Sequence, residues 1–185
     1  MKRYLASALV LMLVSFAWAA ATLRSGGQAD QKEYGIDLLN TSAAMESWVV
    51  CGFTEGFKWP DDKKTGTFRI GVLDHPEMLK FLMNSCNMQP SGSQVVEVSS
   101  CPPTPDDTFY HILYVGDLAG PAWSAWKSAL GADPTVVVTR AEGGIPDQAL
   151  VNFHYVDGEL KLQLDSERAD RLQISIGNEL KSWVE

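Results

Sequence analysis

Positive charge is scarce in this chain of 185 residues. Lysine and arginine total 15 against 23 aspartates and glutamates, which gives a formal net charge of −8 at pH 7. A nucleic-acid-binding protein presents a basic face to phosphate groups, and a protein held to anionic lipid by its charge needs the same, so this balance disfavours both classes. The composition, 45% hydrophobic and 21% charged, is otherwise ordinary. The length predicts a single domain with a sizeable core.

Catalytic and cofactor-binding signatures are absent from the sequence. It has no G-x-S-x-G elbow, no G-x-G-x-x-G or Walker loop, and no H-x-x-H or C-x-x-C pair, so hydrolase, nucleotide and zinc chemistry lack support. His75, His111 and His154 are scattered and fit structural roles, and no local signature marks a Cys-His nucleophile. We therefore predict a protein that is not an enzyme and that has no cofactor and no metal; an enzyme is the least favoured hypothesis.

The one long apolar stretch lies at the N-terminus. Lys2 and Arg3 precede the apolar residues 5–18, and the small-residue motif Ala-Trp-Ala ends at Ala19. This pattern is typical of a signal peptide, and the stretch is short for a membrane span of about 20 residues. We predict cleavage after Ala19 and export to a bacterial periplasm, with an uncleaved N-terminal anchor as the alternative.

The predicted mature chain then divides into two parts. Residues 20–31 are small and polar and predict a flexible leader, and residues 32–185 form the domain. No stretch of this domain is long and apolar enough to span a bilayer, so we expect no embedding in the membrane after cleavage.

Three cysteines, Cys51, Cys86 and Cys101, are candidates for redox chemistry or a disulfide. In an oxidising compartment, one disulfide and one free thiol is the natural expectation. Cys86 with Cys101 closes the shortest loop, but a strand between them would hold its ends roughly 20 Å apart. The three pairings and three free thiols all stay open.

Alternating strands and helices organise the domain. A helical pattern in residues 33–57 precedes strand–helix alternation that predicts a parallel core; one helix, or two divided at Asn40-Thr41-Ser42, are the alternatives for this pattern. Alternating residues 149–156 and 159–165 flank Asp157-Gly158, which predicts an antiparallel hairpin. We predict an α/β fold: a mixed, mostly parallel sheet with helices on both faces and a closing antiparallel hairpin. The predicted strands before the hairpin are Thr67–Leu73, Gln94–Ser100 and residues 110–115 and 135–139.

Two groups of residues are candidate binding sites. Asp74, Asp117 and Arg140 follow predicted parallel strands, whose carboxyl ends form the usual ligand crevice of such sheets. The exposed amides of Gly143-Gly144 would assist anion binding at Arg140. The alternative is that the aspartates cap helices, with Asp74 or His75 as one cap, and that the glycines only turn the chain.

The second group is aromatic. Phe57, Trp59 and Pro60 end the first helical pattern beside glycine, and large rings in such a place can anchor a partner protein. The alternative is that they fasten the helix to the sheet.

Several segments occur in an order that matches a known family across nearly the whole predicted mature chain. They are CGFTEGFKWP at residues 51–60, FRIGVL at 68–73, HILYV at 111–115, and TVVV at 135–138, followed by Gly143-Gly144, VNF at 151–153 and KLQLD at 161–165. Together they resemble the YfiR-like family of periplasmic proteins. The family typically carries cysteine where this chain has Gly71 and Tyr110, so the disulfide of the family does not form here.

This resemblance implies a periplasmic regulator that restrains the outer domain of a membrane signalling protein. That protein would be a diguanylate cyclase, which links the regulator to cyclic di-GMP, or a sensor kinase. A homodimer is possible under this reading. The alternative function is a periplasmic module that binds a small ligand in the strand-end crevice.

Overall fold

The structure, a computed structural model, describes residues 38–181, and side-chain surroundings from Ser42 onward. The predicted signal peptide and leader lie outside these residues. Five helices and nine strands are described. In chain order they are α1 Leu38–Gly56, β1 Phe57–Lys58, β2 Thr67–Leu73, α2 Pro76–Ser85, β3 Pro90–Ser91, β4 Gln94–Ser100, β5 Ile112–Val115, α3 Pro121–Ala129, β6 Val136–Arg140, β7 Val151–Val156, β8 Glu159–Leu164, α4 Ser166–Arg171, β9 Ser175–Ile176 and α5 Asn178–Lys181, with a 3-10 turn at Asp61–Lys63.

The predicted α/β fold is confirmed. Seven strands form one sheet in the order β3-β4-β2-β5-β6-β7-β8. The pairs from β4 to β7 are parallel, whereas β3 on β4 and β8 on β7 are antiparallel and form the two edges. A separate two-stranded sheet pairs β1 with β9.

The central strands are buried on both faces. All four residues of β5 are buried, and they alternate between two apolar clusters. Ile112 and Tyr114 face α1, α2 and the C-terminal segment, while Leu113 and Val115 face α3 with its Trp123 and Trp126. Helices therefore cover both faces, as continuous apolar strands require.

The closing hairpin follows from its turn residues. Asp157 has φ 52° and Gly158 has φ 82°, so both central residues occupy the left-handed region that a type I′ turn requires. The two strands pair without a bulge from Val156 with Glu159 to Val151 with Leu164. Asp-Gly at this point therefore sets the register of the sheet edge.

The structure decides two helix boundaries for which the sequence left alternatives open. In the described part, α1 continues through residues 40–42, where two helices were an open alternative. His75 is the N-cap of α2, since its Nδ1 accepts the Met78 N–H at 3.1 Å. Asp74, the other candidate cap, instead adopts φ 53°.

The disulfide joins Cys51 to Cys86, across 35 positions of sequence, and Cys101 is a buried free thiol. The pairing of Cys86 with Cys101, considered because it closes the shortest loop, is wrong. Cys86 lies in the cluster between the sheet and α1, whereas Cys101 packs with α3 on the opposite face. The intervening sheet separates the two sulfurs.

Candidate functional site

The carboxyl ends of the central strands β2, β5 and β6 lie side by side, and a crevice opens beside these ends. It encloses about 280 Å³ and is lined by Ala43, His75, Glu77, Tyr114, Gly116 and Arg140. Gly116 is needed for this geometry, because a Cβ at that position would collide with the Asp74 carbonyl oxygen and with His75. The loop after β2 can therefore approach the end of β5 closely.

A buried carboxylate, Glu46 on α1, lies behind this crevice and bonds to two of the residues that line it, Tyr114 and Arg140. Its side chain is inaccessible to solvent, and it accepts hydrogen bonds from the hydroxyls of Tyr114 at 2.6 Å and Tyr155 at 3.2 Å. Arg140 donates to it at 3.4 Å. Burial and the adjacent Glu46 charge raise the pKa of Tyr114, so its hydroxyl stays protonated as a donor. The network ties α1 to β5, β6 and β7.

Arg140 is the sequence-predicted residue that this network includes. Its side chain keeps 39% of its surface exposed, and its guanidinium lies 5.7 Å from the centre of the Tyr155 ring. It borders a second cavity of about 440 Å³, which Glu142 and His154 also line. A guanidinium has five N–H donors, so Arg140 retains donors for an anionic group.

Asp74 and Asp117 have other positions. Both are exposed and neither lines the crevice, although their neighbours His75 and Gly116 do. Asp117 Oδ1 accepts the Ala119 N–H at 2.9 Å, a local turn before α3. The structure thus brings Arg140 together with Glu46, not with the two aspartates.

Hydrogen bonds from the Asn152 side chain hold the turn that follows Arg140. Its Oδ1 accepts the Ala141 N–H at 2.9 Å and its Nδ2 donates to the carbonyls of Ala141 at 2.9 Å and Gly144 at 3.3 Å. Asn152 is fully buried. These hydrogen bonds hold the turn that contains Gly143-Gly144 next to Arg140.

The aromatic segment lies at the other end of the parallel strands, near their amino-terminal ends. Phe57 is 1% exposed and Trp59 is 6% exposed, and the Trp59 indole N–H donates to the Pro134 carbonyl at 2.9 Å. The Trp59 ring meets the rings of Phe57 and Phe68 edge to face, with centroids 6.1 Å and 4.9 Å apart. These rings fasten the end of α1 to the sheet.

The same rings line a cavity of about 250 Å³ that opens to solvent. Lys58, Lys64 and Ser93 are among the other residues that line it. Glu55 lines the cavity as well, and Lys64 pairs with Asp61 at 2.7 Å, so the apolar floor is surrounded by charges of both signs. Pro60, half-buried, follows directly on Trp59.

His111 is buried next to these aromatic rings. Its Nδ1 accepts the Arg69 backbone N–H at 3.1 Å, so its Nε2 carries the proton and donates to the Lys63 carbonyl at 2.8 Å. Its ring stacks on Phe68 at 4.3 Å. Burial lowers the pKa of His111, which keeps the ring neutral. His111 is structural, as its place in a strand indicated.

The free thiol, Cys101, lies beside Gly71 and Tyr110. A Cβ at Gly71 would collide with the Cys101 sulfur and with the Tyr110 ring. Cys101 therefore occupies the space beside Gly71, next to the Tyr110 ring. Burial raises the pKa of the Cys101 thiol to about 12, so this thiol is protonated and unreactive at neutral pH.

Sequence reasoning missed Glu46. A signal existed: Glu46 falls three residues after Ala43 and four before Val50, on the apolar face of the helix. A carboxylate on that face needs partners in the core.

Two kinds of feature are absent from residues 38–181. No cluster of three histidine, cysteine, aspartate or glutamate side chains there could hold a metal ion. No helix in the same range has the length and apolar character needed to cross a membrane.

Comparison with known proteins decides the family. The model of the YfiR/HmsC-like family matches residues 43–182. The chain belongs to the YfiR/HmsC-like family. No curated protein matches it. Membership favours a regulatory protein of the bacterial periplasm over an enzyme.

Proposed function

We propose that this protein is a periplasmic regulator that binds and restrains the outer domain of an inner-membrane signalling protein, most directly a diguanylate cyclase of cyclic di-GMP signalling. The observation that carries the proposal is the family match across residues 43–182. The absence of catalytic signatures agrees with a binding role. A sensor kinase is the other partner of the same kind.

The proposed contact is the aromatic cavity near the amino-terminal ends of the parallel strands. Phe57 and Trp59 are too buried to meet a flat surface, but they line a recess that an inserted side chain can reach. Pro60 lies beside it. Apolar anchors in well-packed pockets supply much of the energy of protein interfaces.

The test is capture of the partner from the native envelope. The mature protein is immobilised, incubated with solubilised inner membrane under oxidising and reducing conditions, and bound proteins are identified by mass spectrometry. We expect capture of a diguanylate cyclase or sensor kinase. Reproducible absence of both under both conditions would overturn the proposal.

A matched pair of variants tests the contact itself. Ser93→Trp places a large ring at the exposed mouth of the cavity and should abolish capture. Ser124→Trp makes the same change on the exposed side of α3 and should leave capture intact. Equal capture by both variants would refute this site while leaving the regulatory role in place.

A second candidate function is binding of a small anionic ligand at the strand-end crevice. The observation in its favour is Arg140, which is partly exposed and borders two cavities. Asp74 and Asp117 would act only by shaping the surrounding loops. A screen of carboxylates and phosphates by thermal shift should find a stabilising compound, and Arg140→Ala should remove that stabilisation. An unchanged shift in the variant would exclude the crevice.

A further inference from the structure

The strand β8 lies at one edge of the seven-stranded sheet. Its six residues, Glu159–Leu164, pair with β7 on one side, and no strand of the described range lies on its other side. Successive residues of an antiparallel pair direct their backbone groups alternately towards and away from the neighbouring strand. Half of the backbone N–H and C=O groups of β8 therefore point away from the sheet.

The outward backbone groups belong to three leucines. The Asp165 N–H, directly after β8, donates to the Leu150 carbonyl at 2.9 Å, so the odd-numbered residues of β8 direct their backbone groups to β7. The even-numbered residues point outward, and their backbone groups make no hydrogen bond to another residue of the described range. These groups, termed the β8 edge, are the N–H and C=O of Leu160, Leu162 and Leu164.

The other edge of the sheet, by contrast, is covered. The segment before β3 runs along β4, where the Met88 N–H donates to the Val96 carbonyl at 2.8 Å and the Val96 N–H donates to the Gln89 carbonyl at 2.9 Å. The Asn87 side chain accepts the Val98 N–H at 3.0 Å. Proteins cover edges in this way because an open edge recruits further strands. The strand β8 contains no proline and pairs without a bulge, so neither of these devices blocks its edge.

The side chains of β8 give the edge one apolar face and one polar face. Leu162 is buried, and Leu160 and Leu164 are partly buried against the same apolar cluster. The opposite face carries Glu159 and Lys161, which pair at 3.4 Å. Side chains of a neighbouring strand follow the same alternation. A segment that adds to this edge must therefore alternate between apolar and polar residues.

Charge distinguishes a partner protein from a second copy of this chain. If two β8 edges paired antiparallel around Leu162, Glu159 of each copy would lie opposite Asp165 of the other, and like charges directly opposite destabilise a sheet. Arg171 lies 4.0 Å from Asp165 and offsets this repulsion only in part. The chain also carries a net charge of −8, which repels a second copy and attracts a basic segment.

We infer that the β8 edge binds an extended, basic segment of a partner protein, which adds antiparallel to the sheet as an eighth strand. The main chain of that segment bonds to the backbone groups of the three leucines, and its apolar side chains continue their row. Strand addition obtains affinity from main-chain hydrogen bonds and specificity from alternate side chains. This inference goes beyond the proposed regulatory function and does not depend on it.

Amide hydrogen exchange of the mature protein, followed by NMR, tests whether the edge is open. The amides of the three leucines should exchange about tenfold faster, or more, than those of Lys161 and Gln163, because a hydrogen bond must open before its amide exchanges. Equal protection of the two sets would show that the edge is already covered and would overturn the inference. Leucine protection that rises with protein concentration would assign the edge to a second copy and would overturn it too.

The probe for the partner segment is a capped peptide of sequence KVTVTVK, added while exchange is followed. In a register centred on Leu162, its valines lie opposite the leucines, and its two lysines lie opposite Glu159 and Asp165. We expect the leucine amides to become protected, while the amides of Lys161 and Gln163 stay as they were. No change in leucine exchange at the highest soluble peptide concentration overturns the inference.

Three altered peptides separate the backbone from the charge. N-methylation of the valines removes the donors that face β8 and should abolish binding, whereas N-methylation of the threonines, whose amides face solvent, should not. Equal binding by these two peptides would refute strand addition. The peptide EVTVTVE keeps the same backbone and apolar face and should bind more weakly than KVTVTVK. Equal binding would refute the basic character of the partner segment.

A matched pair of protein variants tests the edge itself. Leu160→Pro and Leu160→Ala both remove the leucine side chain, but only proline removes the outward N–H, which makes no bond to β7. Both variants should unfold cooperatively on heating. Leu160→Pro should bind KVTVTVK about tenfold more weakly than Leu160→Ala, the loss expected for one hydrogen bond. Equal affinity of the two variants would overturn the inference, and the altered peptides decide it if the proline variant does not fold.

Discussion

Reduction of the Cys51–Cys86 disulfide should lower the free energy of unfolding by about 4 kcal/mol. The bond closes a loop across 35 positions of sequence. In the chain-entropy treatment, the unfolded chain loses about 13 cal/mol/K when a loop of this length is closed, which is about 4 kcal/mol at room temperature. The folded chain changes little, because α1 and α2 pack together through other side chains as well.

The assay is urea unfolding of the protein with and without reductant. With a slope of about 2 kcal/mol per molar, the midpoint should fall by about 2 M while the slope stays within the usual range. Cys51→Ala with Cys86→Ala should unfold near the reduced protein and should not respond to reductant. Cys101→Ala should keep the full response, because Cys101 takes no part in the bond.

A loss below about 1 kcal/mol on reduction would refute this reasoning. It would mean either that the unfolded chain is already compact between the two cysteines or that the folded state carries compensating strain. Measurement of the slope distinguishes these explanations, because residual structure in the unfolded state lowers it.

Three further predictions concern groups in the core. Stability should fall as pH drops below about 6.5, the ordinary pKa of histidine, because burial lowers the pKa of His111 in the folded state and the unfolded chain then binds more protons; urea midpoints at pH 7.5 and 5.5 measure this, and His111→Gln showing the same fall would contradict it. Cys101 should resist maleimide at neutral pH until the chain is unfolded, because burial raises its thiol pKa to about 12; rapid native labelling would contradict the burial. Glu46→Ala should cost about 3 kcal/mol in urea unfolding, because it leaves the buried Tyr114 hydroxyl unpaired, and Arg140→Ala should cost about as much, because it leaves the buried Glu46 carboxylate without its cationic partner; a cost below about 1 kcal/mol for either variant would contradict this assignment.

Local patterns predicted most of the fold because each pattern had one physical solution. Asp157-Gly158 between alternating segments fits a type I′ turn and little else, and the observed turn has that geometry. The strands Thr67–Leu73 and Gln94–Ser100 were predicted to the residue. Their apolar content and the turn residues beside them are both local properties.

The disulfide and the buried carboxylate depended on contacts that no local pattern encodes. Cys51 meets Cys86 only because α1 and α2 lie side by side on one face of the sheet, and loop length alone favoured Cys101. Glu46 needs two tyrosines from β5 and β7 and an arginine from β6, which are 68, 109 and 94 residues away in sequence. Sequence spacing gives the face of a helix but not its partners.

The position of α1 determines how oxidation state can act on this protein. Glu46 fixes the helix near its middle, Cys51 holds it to α2 in its second half, and Phe53, which stacks on Phe153 at 6.2 Å, packs its last turn onto the sheet. Two of these three attachments do not involve sulfur. Reduction should therefore lower global stability while leaving the exposed face of α1 in place, and any redox dependence of binding should follow the fraction of unfolded chain. A reduced protein that stays folded, as judged by its urea midpoint, but no longer captures the membrane partner would show that the disulfide positions α1 directly.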